Sequence, residues 1–253
     1  MEQIASRRRT STPQDVVLNP LKDKVALITG SCSGIGAAIA RELSIRGASV
    51  IINYPFAHLE GDAEKAGESL KSDWFAVEAD ISTADGPAAL LAPVEETTAE
   101  LFEKTMNTNV RGALLVTQAA LPHLPKKSEG GGGRIISITS AVGTNPQELQ
   151  AAYATSNGAL ATLTRILAKE LPPKYGCTVN AVSPGIVKTP QFLHELQRTV
   201  PPFLPQVFDS MTPLDDWLGL PEDVAFAVAF LAEERASWIN GASINVSGGM
   251  FVD

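Results

Sequence analysis

The feature that most constrains the fold of this chain is a glycine-rich turn that follows a short apolar run. Residues 25–29, Val-Ala-Leu-Ile-Thr, are apolar and partly β-branched, which is typical of a buried parallel strand. Gly30, Gly34 and Gly36 come next, and apolar residues then recur at helical spacing until Gly47. Glycines let the backbone turn tightly and approach a bound group, while the amides at a helix N-terminus attract negative charge. This strand–turn–helix arrangement therefore predicts a site for the pyrophosphate group of a dinucleotide.

Strand and helix patterns alternate along the rest of the chain. Further strands are predicted at 48–53, 74–77, 134–139, 177–182 and 243–246, and further helices at 97–121, 151–171 and 221–232. The alternation predicts an α/β fold with one Rossmann-type, doubly wound parallel sheet and helices on both faces. We expect residues 1–20 to be a disordered tail, with a nuclear or organelle address as the alternative, and residues 21–253 to form a single catalytic domain.

The composition argues against several other classes of protein. A formal net charge of −8 does not favour binding to a nucleic-acid backbone. No apolar run approaches the roughly 18 to 20 residues that a membrane span needs, so no membrane partner is expected. The two cysteines, Cys32 and Cys177, lack metal-ligand spacing, which indicates free thiols in a reducing, cytoplasmic setting and predicts no metal site.

The turn sequence Thr29-Gly30-x-x-x-Gly34-Ile35-Gly36 resembles that of the short-chain dehydrogenase/reductase family, and the resemblance extends from Lys24 to Gly249. It implies that a nicotinamide dinucleotide is the cofactor. The cofactor-binding residues that it implies are Gly30, Ser31, Ser33, Gly34, Ile35, Gly36, Asn53, Tyr54, Asp80, Arg111, Tyr153, Pro184, Gly185, Val187 and Thr189. Asp80 matches the family's adenine-contacting aspartate, and residues 184–189 match the loop that holds the nicotinamide carboxamide.

The same resemblance implies a catalytic set. Asn109, Ser140 and Tyr153 match the family's catalytic residues, and Tyr153 follows Ser140 by the family's usual thirteen positions. In the family, a hydride passes between the nicotinamide ring and a carbonyl carbon. Tyr153 would donate or accept the proton on the carbonyl oxygen, and Ser140 would orient and polarise that oxygen. The structural alternatives are an ordinary amphipathic-helix residue for Tyr153 and a helix or turn cap for Ser140.

The choice of cofactor rests on the end of the second strand, where a carboxylate would bind the 2′-hydroxyl of NAD and repel the 2′-phosphate of NADP. Here the sequence is Ile51-Ile52-Asn53-Tyr54-Pro55, without an acid. The Asn-Tyr pair resembles NADP-using fungal and bacterial reductases of the family, which favours NADP. Ser33, however, stands where such enzymes often carry a basic residue. NAD is the alternative, with Asn53 bonding the ribose hydroxyls of either cofactor.

The first departure from the family is at position 157. The family's catalytic lysine lies four residues after the tyrosine, and here that residue is Asn157. A lysine at this place bonds the nicotinamide ribose and lowers the tyrosine pKa, whereas a neutral amide supplies no charge. Oxidation, which needs the tyrosine as a base, should suffer most, and reduction, which uses the neutral phenol, could survive. With Asn157 in the catalytic set, we expect a weakened reductase or an inactive relative.

The second departure is a gap between Asp80 and Asn109, which lie only 29 positions apart. The family places a helix, a central strand and an Asn-Asn-Ala-Gly turn in this interval, and that turn is absent from the sequence. The one apolar piece, residues 88–94, contains Pro93, which is poorly placed in a central strand because it cannot donate to the ladder. The match resumes at Pro93, so a central strand is expected to be missing after Ala92. Either another segment fills its place, or the chain is a splice variant or mis-joined gene product.

The segment 188–220 is long for a loop and rich in proline and large apolar residues, which makes it a candidate lid or substrate wall. Its apolar side chains would either line a pocket for a bulky hydrophobic ketone or alcohol, or pack onto the domain or a neighbouring subunit: Phe192, Leu193, Phe203, Leu204, Phe208 and Met211. The resemblance also implies a homo-tetramer or homo-dimer formed through helices 97–121 and 151–171. Small residues on the second helix would allow close approach: Ala151, Ala152, Ala154, Ala159 and Ala161.

Three functions are consistent with the sequence. The leading hypothesis is NADPH-dependent reduction of a ketone, or the reverse oxidation of a secondary alcohol, on a hydrophobic small molecule. The second is a catalytically silent cofactor-binding or scaffold protein that kept the fold. The third is a non-redox enzyme, such as an isomerase, that reuses the pocket around Tyr153. Measuring cofactor binding, and then turnover on hydrophobic ketones, distinguishes these three hypotheses.

Overall fold

The computed structural model describes residues 19–81, 93–198, 209–214 and 218–252. The strands are β1 (Val25–Ile28), β2 (Ser49–Tyr54), β3 (Trp74–Glu78), β4 (Arg134–Ile138), β5 (Thr178–Pro184) and β6 (Ser243–Val246). The helices are α1 (Gly34–Ile45), α2 (Glu60–Glu68), α3 (Ala99–Met106), α4 (Ala113–Ala120), α5 (Ala151–Glu170), α6 (Pro172–Tyr175), α7 (Pro190–Arg198) and α8 (Pro221–Ala232). A six-residue π-helical turn, Asn107–Gly112, joins α3 to α4.

All six strands are parallel, and they form two three-stranded sheets. The first sheet has the order β1-β2-β3, with Leu27 beside Ile51 and Ile51 beside Phe75. The second sheet has the order β4-β5-β6, with Ile136 beside Asn180. The middle strand β5 is buried along its whole length, as expected for a parallel strand covered on both faces. The predicted α/β class, with parallel strands and helices on both faces, is confirmed.

The division between the two sheets agrees with the predicted loss of a central strand. Within the described residues, no strand pairs with the outer edge of β1 or of β4. One face of the first sheet is also open, because Val25 is 69 % exposed, Leu27 50 % and Phe75 66 %. Unpaired strand edges and exposed apolar faces are both unfavourable, so an additional strand and its connecting helix would normally cover them. Residues 88–92 of the apolar piece lie outside the described residues.

One hydrophobic core joins the two sheets on the face covered by α1 and α8. Helix α1 packs against α8, and α8 packs on all three strands of the second sheet. The core includes Ile28 and Ile52 from the first sheet and Val182 from the second, together with Leu43 and Leu231 from the two helices. Helix packing, rather than a continuous hydrogen-bonded sheet, therefore connects the two halves of the described molecule.

Arg46 reinforces this junction at the C-terminal end of α1. Its guanidinium forms ion pairs with Glu42 at 2.7 Å and with Glu233 at the end of α8, and it lies over the ring of Phe226. The Arg46 and Glu233 side chains are only 16 % and 14 % exposed, so solvent screens this pair less than a surface ion pair.

Three elements of the structure differ from the sequence-based expectation. Helix α2 was not predicted, because its sequence, EGDAEKAGE, has almost no apolar stripe. The helix predicted over 97–121 is confirmed as continuous helical backbone from Ala99 to Ala120, but Asn107–Gly112 within it form a π-helical turn. The predicted loop over 188–220 begins with the helix α7. In the described part of the chain, no helix is both long enough and apolar enough to cross a membrane.

Candidate cofactor and active site

The glycine-rich turn between β1 and α1 has a backbone that favours glycine. The φ angle is +60° at Gly30 and +54° at Gly34. A Cβ atom on Gly36 would collide with the backbone of Gly30 and Ser31, so glycine is needed for α1 to pack this closely on the turn. Ser33, the N-cap of α1, makes no side-chain capping bond, and the first turn of α1 has no acidic residue. The helix amides are therefore oriented to receive an anionic group.

Asn53 at the end of β2 holds this turn in place. Its buried side chain accepts a hydrogen bond from the Gly30 N–H at 3.2 Å and donates one to the Ala79 carbonyl at 2.8 Å. Its backbone N–H donates to the Ser31 hydroxyl at 3.0 Å, and that hydroxyl donates to the Ile28 carbonyl at 2.7 Å. Asn53 thus ties the turn to the ends of β1 and β3, and both polar atoms of its amide have protein partners.

Tyr54 lies next to Asn53 in an acidic environment. Burial raises the pKa of its phenol, and the carboxylates of Glu60, Glu78 and Glu64 raise it further. The tyrosine therefore stays neutral at physiological pH. A 2′-phosphate bound at this end of β2 would meet the same negative charges.

The loop after β5 reaches the glycine-rich turn. Pro184 ends β5, Gly185 begins the loop, and Val187 is buried within it. The Thr189 side chain lies 3.3 Å from the position that a Cβ on Gly34 would occupy. The structure therefore brings together the loop that matches the carboxamide-binding segment and the turn predicted to bind the pyrophosphate.

The structure brings the two residues of the predicted catalytic pair, Ser140 and Tyr153, close together. Ser140 lies two residues after β4, and Tyr153 lies in the first turn of α5. Burial raises the pKa of the Tyr153 phenol, while hydrogen bonds to the Ser140 and Asn157 side chains act in the opposite direction without cancelling the shift. The phenol is therefore protonated at physiological pH and can act as a proton donor.

Asn157 takes the lysine's position on α5. It is 3 % exposed, and its Nδ2 atom donates to the backbone carbonyl of Tyr153 at 3.0 Å. Among the described residues, no charged group contributes to the pKa shift of Tyr153. Asn157 thus supplies hydrogen bonds to Tyr153 but not the positive charge that would favour a phenolate.

Asn109 reaches the same turn of α5 from the π-helical turn, a kind of distortion that is frequent at functional sites. Its Nδ2 atom donates to the hydroxyl of Ser156 at 2.9 Å, and this hydroxyl donates to the Tyr153 carbonyl at 2.8 Å. Ser156 is fully buried. Ser156 was not predicted from the sequence, although a polar residue inside the Tyr153–Asn157 segment is a signal for such a role.

Two glycines set the spacing between Ser140 and α5. A Cβ on Gly143 would lie 2.9 Å from the backbone of Asn157 and Gly158, and a Cβ on Gly158 would lie 3.1 Å from the Gly143 carbonyl oxygen. A larger side chain at Gly143 would therefore push the Ser140 loop away from the helix that carries Tyr153. The sequence analysis missed this pair as well, because the contact joins separate segments.

Asp80 and Arg111 lie at the same edge of the molecule. Asp80 is exposed just after β3, and Arg111 is exposed on the π-helical turn. The two segments are in close contact: the carbonyl oxygen of Ile81 lies 2.8 Å from the position that a Cβ on Gly112 would occupy. The cofactor-binding roles of Asp80 and Arg111 stay predictions.

The predicted substrate wall is described only in part. Phe192 and Leu193 are partly buried on α7, and Met211 is 38 % exposed. The other three members, Phe203, Leu204 and Phe208, lie outside the described residues. An open cavity of about 480 Å³ lies elsewhere, between α3 and α5, and its lining includes Val94, Thr98, Phe102, Ala151 and Thr155.

The described residues offer little support for other chemistries. They contain no group of three or more metal-ligating side chains. Both cysteines are free thiols, and burial raises the pKa of Cys32 and of Cys177, so neither is an activated nucleophile.

Comparison with known proteins also indicates the short-chain dehydrogenase/reductase family. The family model described as Enoyl-(Acyl carrier protein) reductase matches residues 84–251, and the short chain dehydrogenase model matches residues 24–96. Versicolorin reductase 1 of Aspergillus parasiticus is 36 % identical, over 91 % of this chain and 97 % of its own. Hydroxynaphthalene reductase arp2 of Aspergillus fumigatus is 33 % identical, and the match covers 88 % of this chain and 90 % of that protein. The crystal structure of the angucycline C-6 ketoreductase LanV with bound NADP has a TM-score of 0.81 at 28 % identity, and the match covers 93 % of this chain and 98 % of that one.

The alignment with versicolorin reductase 1 runs over 266 positions, but 91 % of this 253-residue chain is only about 230 residues, so about 36 aligned positions have no counterpart here. The missing central strand after Ala92 stays a prediction. The family models and the relatives show that the chain belongs to the short-chain dehydrogenase/reductase family.

Proposed function

We propose that this protein is an NADPH-dependent reductase that converts a ketone on a hydrophobic small molecule to a secondary alcohol. The observation that carries the proposal is the placement of the Ser140 side chain beside the buried Tyr153 phenol, whose pKa is raised by burial. A serine that polarises a carbonyl oxygen and a neutral phenol that protonates it are the groups that such a reduction needs.

The residues around the glycine-rich turn fit a dinucleotide. Three features support this fit: the uncapped N-terminus of α1, the close packing that requires glycine at Gly36, and the approach of Thr189 to Gly34. In this proposal, the turn binds the pyrophosphate and Thr189 binds the carboxamide. When bound, the nicotinamide ring supplies the hydride.

The protein's own groups handle the oxygen of the substrate. Ser140 donates a hydrogen bond to the carbonyl oxygen and holds it next to the Tyr153 hydroxyl. As negative charge develops on that oxygen, Tyr153 transfers its proton to it. Asn157 and Ser156 keep the Tyr153 segment of α5 in place through their bonds to its carbonyl.

NADP is favoured over NAD because the solved relative LanV is described with bound NADP. The carboxylates near Tyr54 oppose this preference, since a 2′-phosphate there would be repelled. A direct comparison of NADPH and NADH is therefore part of the test.

A hydrophobic, fused aromatic ketone is the substrate class that we propose. Two relatives are named as reductases of versicolorin and of hydroxynaphthalene, and a solved structure is an angucycline ketoreductase. The partly buried Phe192 and Leu193 on α7, next to the Thr189 loop, provide apolar surface for such a ring.

We further propose that the protein works in the cytoplasm as a homo-oligomer through α4 and α5, where Leu115 and Ile166 are 48 % and 47 % exposed. Ala152, Ala154 and Ala161 are buried within the chain itself and so would contribute indirectly. Light scattering of the purified protein measures this, and a monomer at micromolar concentration would contradict it.

A silent cofactor-binding protein is the second candidate, because Asn157 removes a cation and the divided sheet removes a strand. The test uses nicotinamide fluorescence to measure NADPH and NADH binding, and then NADPH consumption with a panel of fused aromatic ketones. The reductase proposal predicts binding and consumption. Binding without consumption on any ketone supports the silent protein, and no binding at millimolar cofactor rejects both.

A further inference from the structure

Ser156 is a buried polar residue that connects two parts of the site without facing the substrate. Its hydroxyl accepts a hydrogen bond from Asn109 at 2.9 Å and donates one to the Tyr153 carbonyl at 2.8 Å. It is 0 % exposed, so both bonds are shielded from water. A buried hydroxyl with two partners of this kind fixes the groups on either side of it.

We infer that Ser156 is a positioning residue, which sets the place of Tyr153 relative to the π-helical turn that carries Asn109. This inference rests on the proposed reductase function for its kinetic consequences. Its structural consequence, displacement of the Tyr153 ring when the link is cut, can be measured without any activity.

The link acts on Tyr153 through the backbone carbonyl of that residue. Its carbonyl accepts two side-chain hydrogen bonds, from Ser156 and from Asn157 at 3.0 Å. Side-chain bonds to a helix carbonyl compete with the helical bond and bend the helix locally. Removing one of them lets this first turn of α5 relax, and the Tyr153 ring moves with it. A lysine at position 157 would add an ionic contact to the site, but Asn157 does not.

Thr164 is a matched control on the same helix. It is 1 % exposed, and its hydroxyl donates to the Leu160 carbonyl at 2.9 Å while contacting the Ser137 hydroxyl at 3.2 Å. It therefore makes the same kinds of bond about three helical turns away from Tyr153. Any general effect of deleting a buried hydroxyl on α5 should appear in Thr164→Val as well as in Ser156→Ala.

The first readout is kinetic. Because small misplacement of a catalytic group is costly, Ser156→Ala should lower kcat for ketone reduction roughly ten- to a hundredfold while leaving the KM for NADPH and ketone within about twofold. Thr164→Val should leave kcat unchanged even if both variants lose thermal stability. Asn109→Ala removes the same link from its other end, so the double variant Asn109→Ala/Ser156→Ala should be less impaired than the two single losses multiplied together.

The second readout does not depend on activity. The chain has three tyrosines, so 3-fluorotyrosine labelling gives three ¹⁹F signals, of which Tyr153 is assigned with Tyr153→Phe. We expect the Tyr153 signal to move in Ser156→Ala and in Asn109→Ala but not in Thr164→Val. An unmoved signal in both link variants overturns the inference, and so does unchanged kcat in Ser156→Ala when the wild-type protein is active. If the wild-type protein reduces no ketone, the proposed function fails. The ¹⁹F comparison still tests whether the hydrogen bonds from Asn109 through Ser156 position Tyr153.

Discussion

At the scale of single residues, a neutral amide at position 157 changes how Tyr153 can act. A nearby cation stabilises a phenolate and so lowers the pKa of a tyrosine, whereas burial stabilises the neutral phenol. In this protein burial prevails, and the Tyr153 pKa lies above its ordinary value. The residue is thus suited to donate a proton rather than to accept one, which favours reduction over oxidation.

The pH dependence follows from the direction of this shift. Because a raised pKa keeps the phenol protonated to higher pH, kcat for ketone reduction should stay level up to about pH 10 and decline only above it. Alcohol oxidation, which needs the phenolate, should rise with pH over the same range. Rates measured in both directions against pH test this. A decline in reduction near neutral pH would mean that the Tyr153 pKa is lowered instead.

Replacing Asn157 with lysine should restore the missing charge. We expect Asn157→Lys to lower the Tyr153 pKa and to raise the rate of alcohol oxidation by about tenfold for each pKa unit, with a smaller change in reduction. Thr155→Lys, which adds the same charge at an exposed position on α5, is the control and should change neither rate. Equal effects of the two lysines would show that general charge, rather than the contact with Tyr153, is responsible.

At the scale of secondary-structure elements, β1 has an edge that pairs with no other strand of the described residues. In an intact doubly wound sheet, side chains on both faces of a central parallel strand are buried. Here Ile28 belongs to the core while its neighbour Leu27 is 50 % exposed. Side chains on the two faces of β1 therefore contribute unequally to the free energy of unfolding.

This asymmetry predicts different costs for two adjacent substitutions. Ile28→Ala should lower the free energy of unfolding by about 2 to 5 kcal/mol, as is usual for a core residue, whereas Leu27→Ala should cost less than about 1 kcal/mol. Urea denaturation of the two variants measures both values. Similar large costs would mean that another segment or another molecule covers the open face of β1 in solution.

Much of this element structure could be predicted from the sequence, because apolar runs mark the six strands and most helices. Three features could not be predicted. The polar helix α2 carries no apolar period, and the π-helical turn at Asn107–Gly112 changes backbone bonding without changing the residue pattern. The hydrogen bonds of Asn53 to Gly30 and Ala79 join residues more than twenty positions apart, so no local pattern reveals them.

At the scale of the whole molecule, the described structure consists of two sheets joined by α1, α8 and the Arg46–Glu233 ion pair. The proposed cofactor site spans these two parts. The glycine-rich turn follows β1 of the first sheet, and Thr189 follows β5 of the second. A bound dinucleotide would therefore contact both sheets at once and link them.

Cofactor binding should accordingly stabilise both sheets together. At a hundredfold excess over Kd, NADPH should add about 2.7 kcal/mol to the free energy of unfolding. Hydrogen exchange should slow in β2 and in β5 alike on addition of NADPH. Protection confined to one sheet would show that the dinucleotide does not bridge the two.

We propose that this chain reduces ketones with Tyr153 as its proton donor although it lacks the family's lysine. The most direct test is the rate of NADPH consumption at saturating fused aromatic ketone, compared between the wild-type protein and Tyr153→Phe. We predict measurable turnover by the wild type and a loss of roughly 10²-fold or more in Tyr153→Phe at saturating NADPH. Equal rates for the two proteins would contradict the claim, as would a wild type that binds NADPH but reduces none of the ketones.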